Sequence, residues 1–428
     1  MKRSNLIAFG FAGLVAAVAA QMACSPIGRR GTDQCDGVFE NGECLDDSTT
    51  GNGGSGGSGQ TSSNGSGGDG GDIFIPPTGS GGGGVGGGAS CATDPNVDDD
   101  GDGATENQGD CNDCDANVGP GAIEVATDPN DPMAQQSDED CDGTVDNVAS
   151  TCDDNLAFDN LEAANGVRAV DICNFVNPGE LKWGVLSTMY VRSNGAPASP
   201  GTQAGLLSDF GPNVKPQGGT RMLALASGTA RLPNQPDACG ASSCPGIGSG
   251  TPPPGFPQDP PSCPVSTSIY DDVGLEVRMR APTNATGYKF SFKFYSFEYP
   301  EWVCQTYNDQ FISLVNPAPL GSINGNISFD SQTNPVSVNV AFFDVCQGCP
   351  LGTGELQGTG FDTWNDAGAT GWLQSQAPVK GGQEFIIRWA IWDTGDSAYD
   401  STALVDNFEW IASGGTVVVG TTPIPDPK

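Results

Sequence analysis

Two stretches of the chain place acidic side chains at a spacing that can do chemistry. In the first, Asp98, Asp100 and Asp102 alternate with other residues and end on Gly103, with Glu106 at the ninth place. In the second, Asp138, Asp140 and Asp142 end on Gly143, with Asp146 at the ninth place. Oxygens at positions 1, 3 and 5 and a glycine at 6 form the first half of an EF-hand-type calcium loop, where the glycine permits the sharp turn. The twelfth place of such a loop needs Glu. The first stretch has Gly109 there, with Asp110 one residue late, so it is not a full EF-hand. We expect calcium at Asp98, Asp100, Asp102, Glu106 and Asp110, and at Asp138, Asp140, Asp142 and Asp146. Carboxylates and carbonyls are hard ligands, and irregular loops tolerate calcium's coordination better than magnesium's octahedron. The alternative is a solvated acidic spacer, held loose by its own repulsion.

The chain has no histidine among its 428 residues. That excludes a Ser-His-Asp triad, a Cys-His pair and the His ligands of most catalytic zinc sites. The net charge of −35 argues against nucleic acid as a partner, because phosphate binding needs Lys/Arg patches. A second acidic set, Glu298, Glu301, Asp309, Asp393, Asp396 and Asp400, falls in oxygen-rich loops at strand ends. If those strands are neighbours, the set converges on one calcium ion. The alternative is that the aspartates only form turns through side-chain-to-backbone bonds. The enzymatic alternative is a hydrolase with a carboxylate pair, such as a glycosidase. Glu298 and Glu301 would have to share a loop for that, since on a strand they face opposite ways. Trp302, Trp364 and Trp372 fall in expected loops, where they either stack on sugars or pack.

Several kinds of segment must position these groups. Residues 1–23 read as an export signal: Lys2 and Arg3, then the apolar run from Leu6 to Ala20, too short to favour a permanent membrane span. Residues 24–46 are a short Cys-containing segment. Residues 47–90 are rich in Gly and Ser, cannot bury a core, and are expected to be a disordered linker. Residues 91–151 carry the acidic stretches. From 152 to 415 the pattern is period two: Tyr288, Phe290, Phe292 and Phe294 share one strand face, Leu275, Val277 and Met279 another, and Phe385, Ile387, Trp389 and Ile391 a third. RMLALAS (221–227), VSVNVA (336–341) and STALVDNFEWIA (401–412) are further strand candidates, and residues 416–428 read as a tail. The fold expected is all-β, an antiparallel β-sandwich of jelly-roll-like form. The 15 cysteines point to disulfides in an oxidising compartment, with Cys35–Cys44 and Cys239–Cys244 as local pairs and Cys346–Cys349 in a structural CQGC.

Three resemblances rest on these residues. QMAC (21–24) resembles a bacterial lipobox, with Gln21 where Leu is usual. This implies lipidation of Cys24, which leaves an even fourteen cysteines, and a membrane contact through that lipid alone. DDDGDG (98–103), GDCNDCDANVGPGAIE (109–124) and DEDCDGTVDN (138–147) resemble the MopE-type metal-binding motif of exported bacterial proteins, which implies a loop-built segment folded around cations and disulfides. FYSFEYPEWVCQTYNDQF (294–311) and IWDTGDSAYDSTALVDNF (391–408), with RMLALASGTA (221–230) more weakly, resemble the choice-of-anchor L domain, a β-rich module of bacterial surface and secreted proteins. Together they imply a non-catalytic, lipid-anchored protein of the outer membrane or cell surface. It would display a calcium-stabilised sandwich for adhesion or for an unidentified extracellular ligand, such as a carbohydrate, or serve as a structural envelope component.

Overall fold

The computed structural model describes residues 39–40, 43–44, 94–127, 136–147, 151–258, 260, 263–264, 266–340, 342–363, 366–412 and 415–427. The chain divides into two units, 1–79 and 80–428. Of the first unit, one antiparallel pair is described, β1 (Phe39–Glu40) with β2 (Glu43–Cys44). The expected signal segment, Cys24, the 47–90 linker and Cys35 all lie outside the described residues.

The second unit contains two antiparallel sheets. In the eight-stranded sheet, β4 (Ala204–Leu207), β5 (Met222–Ala226), β14 (Ser401–Ile411) and β7 (Gly287–Ser296) lie side by side. The far edge of β7 is shared by β11 (Gly368–Thr370), which continues to β10 (Phe343–Val345), and by β12 (Leu373–Pro378), which continues to β15 (Gly420–Pro423). The five-stranded sheet runs β3 (Gly184–Val191), β6 (Ile269–Arg280), β13 (Glu384–Thr394), β8 (Gln310–Asn316), β9 (Val336–Ser337). One α-helix is described, α1 (Ala163–Arg168).

The period-two pattern explains this architecture. Successive strand side chains point to opposite faces, so a strand with aromatic and β-branched residues at every second place presents one apolar face. Tyr288, Phe290, Phe292 and Phe294 of β7 meet Leu275, Val277 and Met279 of β6 and Phe385, Ile387, Trp389 and Ile391 of β13 in one buried core between the sheets. Burying each such side chain contributes roughly 1.5–3 kcal/mol. The expected all-β sandwich is what forms, with more strands than an eight-stranded jelly roll holds.

Two local expectations needed correction, the strand at 336–341 and the tail at 416–428, while the cover over the second face of β7 and the packing of the tryptophans were decided by the structure. Ser291 and Lys293, on the opposite face of β7, are also fully buried, because a second apolar layer around Tyr295, Phe361 and Trp372 covers that side. Lys293 is paired there with Glu355. Trp372 belongs to this layer at 1 % exposure and is no sugar platform, while Trp302 packs edge-on against Tyr307. Trp364 lies outside the described residues. In 336–341 the strand stops after Ser337, where Val340 turns back to donate to the Ser337 carbonyl. Finally, residues 416–428 are not all tail, since β15 pairs with β12.

The chain between β5 and β6 is pinned as expected by Cys239–Cys244 and also by Cys263–Cys304. Cys346–Cys349 closes the CQGC turn. Two bridges that spacing did not suggest are Cys111–Cys141 and Cys152–Cys173.

Candidate metal centres

Both acidic stretches fold into the same local loop. Asp98 Oδ1 accepts from the Gly101 N–H at 2.7 Å and its Oδ2 from the Gly103 N–H at 3.1 Å. Asp138 likewise accepts from Asp142 at 3.1 Å and Gly143 at 2.9 Å. Asp100 accepts from Asp102 and Asp102 from Ala104, and Asp140 and Asp142 repeat both bonds. Gly103 and Gly143 sit at φ +103° and +90°, a backbone conformation that glycine adopts without a Cβ penalty. The sixth-place glycine therefore does what the sequence implied: it turns the backbone around the first aspartate.

The loops bring carboxylates into three groups, each with one oxygen per residue inside 4.8 Å of the others: Asp98 with Asp100 and Asp113, Asp100 with Asp102 and Asp110, and Glu124 with Asp138 and Asp140. Asp110 joins the second group from one place after the loop's twelfth position. Asp113 and Glu124 were not in the expected set. Asp113 comes from the cysteine-flanked turn between the stretches. Glu124 accepts from the Asp140 N–H at 3.3 Å and the Asp146 N–H at 2.7 Å. Neither lies at a loop-position spacing, so only the folding back of the segment, held by Cys111–Cys141, could reveal them.

Other expected ligands fall elsewhere. Glu106 is exposed in a short 3-10 turn, Glu106–Gln108. Asp142 takes a bond from Asn147, and Asp146 turns to Thr127 and Gln136.

The first two groups hold buried carboxylates that repel one another. Asp110 and Asp113 are each 4 % exposed. One carboxylate oxygen on each of Asp100, Asp102, Asp110 and Asp113 is buried without a hydrogen-bond partner. Like charges at 4.8 Å repel by roughly 3–4 kcal/mol per pair at an effective dielectric near 20. Burial, followed by the charges of Asp102, Asp100 and Asp113, pushes Asp110 up to about 6, and burial raises Asp100 and Asp102 as well. Hard oxygens in an irregular loop suit calcium.

The segment is docked rather than tethered. The Ile123 N–H donates to Asn284 Oδ1 at 3.0 Å, Asn284 Nδ2 returns a bond to the Ile123 carbonyl at 2.8 Å, and the Thr283 N–H donates to the Gly121 carbonyl at 2.9 Å. These bonds fix the acidic segment to the turn between β6 and β7.

The second acidic set assembles only in part. Glu298 follows β7, Asp309 precedes β8, Asp393 lies in β13 and Asp400 precedes β14, so the group spans both sheets at one end of the sandwich. Glu298, Asp309, Asp393 and Asp400 are between 0 and 4 % exposed. Asp309 accepts from Ser401 Oγ at 2.7 Å and the Thr394 N–H at 3.1 Å, and its own N–H donates to Glu298 at 3.3 Å. Neither oxygen of Asp393 accepts a hydrogen bond. Asp400 accepts from the Cys244 N–H at 2.8 Å. Burial raises all four: Glu298 to about 9, Asp400 to about 7, and Asp309 and Asp393 well above the carboxylate range, each of the latter two also by a neighbouring acid. Asp396 sits in the following loop, accepting from Ala398, and its charge reaches Glu298. Glu301 is exposed and interacts instead with Asp366. It is therefore not brought into a working pair with Glu298.

A two-sheet antiparallel sandwich with an acidic, disulfide-bridged loop segment docked on one turn is a β-rich module. Residues 276–407 match the family model of the choice-of-anchor L domain, from the middle of β6 into β14. The match covers the motif at 294–311 and all but the last residue of the one at 391–408, but not RMLALASGTA. It marks the chain as a cell-surface-associated or exported β-rich protein. No curated protein and no solved structure matches the chain.

Proposed function

We propose that this is a non-catalytic surface protein, lipid-anchored at Cys24, that displays a calcium-stabilised sandwich for adhesion or ligand binding. The single observation that carries the calcium reading is the set of four buried, unpartnered carboxylate oxygens on Asp100, Asp102, Asp110 and Asp113. Calcium there neutralises the repulsion, orders the segment, and stiffens its contact with the β6–β7 turn. Calcium affinities on the order of 10⁻⁴–10⁻³ M are usual for extracellular modules.

The non-catalytic reading is supported by the different settings of the two glutamates: Glu298 is buried, while Glu301 is exposed and interacts with Asp366. Anchoring through Cys24 rests on the QMAC resemblance alone. Its test is fatty-acid labelling in the native host, which Cys24→Ala should abolish.

The deciding experiment is calcium titration of the full chain by calorimetry, with thermal melts in calcium and in chelator. Two or more bound ions and a melt lowered by chelator are expected. No binding at millimolar calcium, with superimposed melts, would leave the acidic segment a spacer and overturn the calcium reading.

A further inference from the structure

A cavity away from the acidic loops lies where β5 pairs with β14, the strands that belong to RMLALASGTA (221–230) and IWDTGDSAYDSTALVDNF (391–408). It measures about 70 Å³, room for about five waters. Pro233 and Thr363 lie on its rim and are exposed, so it opens to solvent. Phe297 and Phe361, stacked at 4.2 Å, give it an apolar wall.

Two oppositely charged side chains line this cavity, Asp400 at 4 % exposure and Arg231 at 7 %. Each holds a polar atom that no protein group engages. Asp400 Oδ2 accepts from the Cys244 N–H at 2.8 Å, while its Oδ1 is buried without a partner. Arg231 Nη1 donates to the carbonyls of Ala204 and Ala230, while its Nε is buried without a partner. Buried polar atoms in folded chains are almost always hydrogen-bonded, so two unused ones in one small cavity point to a ligand.

The surrounding chain holds both side chains in place. A Cβ on Gly228 would collide with the Asp400 carboxylate, so the small residues of RMLALASGTA admit that side chain. The Asp400 N–H donates to the Ser242 carbonyl at 2.9 Å, and the Cys239–Cys244 bridge closes the loop that carries this acceptor. The Arg231 guanidinium lies over the Phe158 ring at 5.3 Å.

The pair selects the ligand by charge. A cation would meet the Arg231 guanidinium. An anion would meet Asp400, and also the charges of Asp159 and Asp237, which already act on Arg231. A neutral group that donates at one end and accepts at the other suits both, and hydrogen bonds to charged groups are the strong ones. Thr229 and Thr402 add hydroxyls to the lining.

We propose that this cavity binds a vicinal diol, the group that sugars and polyols share. One hydroxyl donates to Asp400, the next accepts from Arg231, and the carbon skeleton lies against the phenyl wall. The room for about five waters takes the diol edge, and the rest of a sugar ring stays at the rim. The inference names a ligand class for the ligand-binding part of the reading above, on which it rests, and is independent of the calcium loops.

The test titrates the full chain, in saturating calcium, with glycerol and with methyl glucoside, read by saturation-transfer NMR. Propanol, which has no diol, and glycine, a zwitterion, are the controls. Saturable binding of at least one diol probe is expected, with no competition from either control. Binding of the glucoside assigns the site to sugars, and binding of glycerol alone assigns it to small polyols. Asp400→Asn should weaken the binding about tenfold. Thr229→Trp, which fills the cavity from a half-buried position, should abolish it, and decides alone should the Asp400→Asn chain fail to fold. No saturable binding of either probe, equal binding of a control, or binding that survives Thr229→Trp would overturn the proposal and leave the cavity to water. Melts of the same samples in calcium and in chelator keep that failure distinct from a failure of the calcium reading.

Discussion

In residues 98–113, carboxylates are gathered by neighbours in sequence; at the end of the sandwich, Glu298, Asp309, Asp393 and Asp400 are gathered by strands from two different sheets. The loop of Asp98, Asp100 and Asp102 forms because each bonds backbone N–H groups two to five residues on, a local turn chemistry, and Asp113 joins it as the segment folds back to accept from the Asp99 N–H. The second forms only after the core has closed. The electrostatic consequences differ. The loop acids lie at a partly solvated edge, with Asp98 exposed and Asp113 buried, which is where the proposed calcium would sit. The sandwich acids are wholly buried, and burial favours the proton. Under the proposed reading, acidic clusters of similar composition take different counter-ions, a cation where one member reaches solvent, as Asp98 does, and protons where none does.

The largest effect should come from pH. In chelator, Glu298 keeps its proton up to about 9 in the folded chain and loses it near the ordinary carboxyl value of 4.5 when unfolded. Between those values unfolding releases a proton, so stability falls as pH rises, by up to about 1.4 kcal/mol per unit. Asp400, raised from 3.8 to about 7, adds a slope of the same sign at lower pH. Denaturant unfolding at pH 5, 7 and 9 checks this. If the slope vanishes on adding calcium, an ion also enters the sandwich group, and the contrast between the regions is broken.

Next in size is the Cys111–Cys141 bridge. Opening it with Cys111→Ser and Cys141→Ser should destabilise the acidic segment by about 3–4 kcal/mol, from the loop entropy released. Hydrogen exchange should rise in 94–147 while the sandwich melt stays in place. A joint loss would show that the two regions unfold as one unit.

The smallest effects sharpen the comparison most. Asp113→Asn keeps the Oδ1 that accepts from the Asp99 N–H at 2.8 Å but removes a charge, so calcium affinity should fall about tenfold, or about 1.4 kcal/mol. Calorimetry reads this directly. Glu298→Gln at pH 5 exchanges one neutral group for another and should cost under about 1 kcal/mol in a denaturant melt. A loss of several kcal/mol there would mean that Glu298 is ionised in the folded chain.

Much of this molecule was legible in its residues. Alternation named the core-facing members of β6, β7 and β13, because strand geometry projects every second side chain to one side whatever the neighbours are. The Asp-x-Asp-x-Asp-Gly spacing named the loops, because the bonds that shape them span at most five residues. What spacing missed has one cause. Asp113, Glu124, Lys293 and the burial of Trp372 depend on what covers or meets a residue after folding. Likewise, Asp146 matched a loop position yet went to Thr127, and the 416–428 tail was recruited by the free edge of β12.

The sequence by itself determined the sandwich, the paired acidic loops, and the lack of histidine chemistry, since each follows from local geometry or from composition. Only the tertiary structure decided which acids meet. The meeting of Glu298 with Asp309 and Asp393 arises from strand order, which brings the ends of β7, β8 and β13 together. Contacts between residues distant in the chain are set by packing free energy, which no spacing encodes.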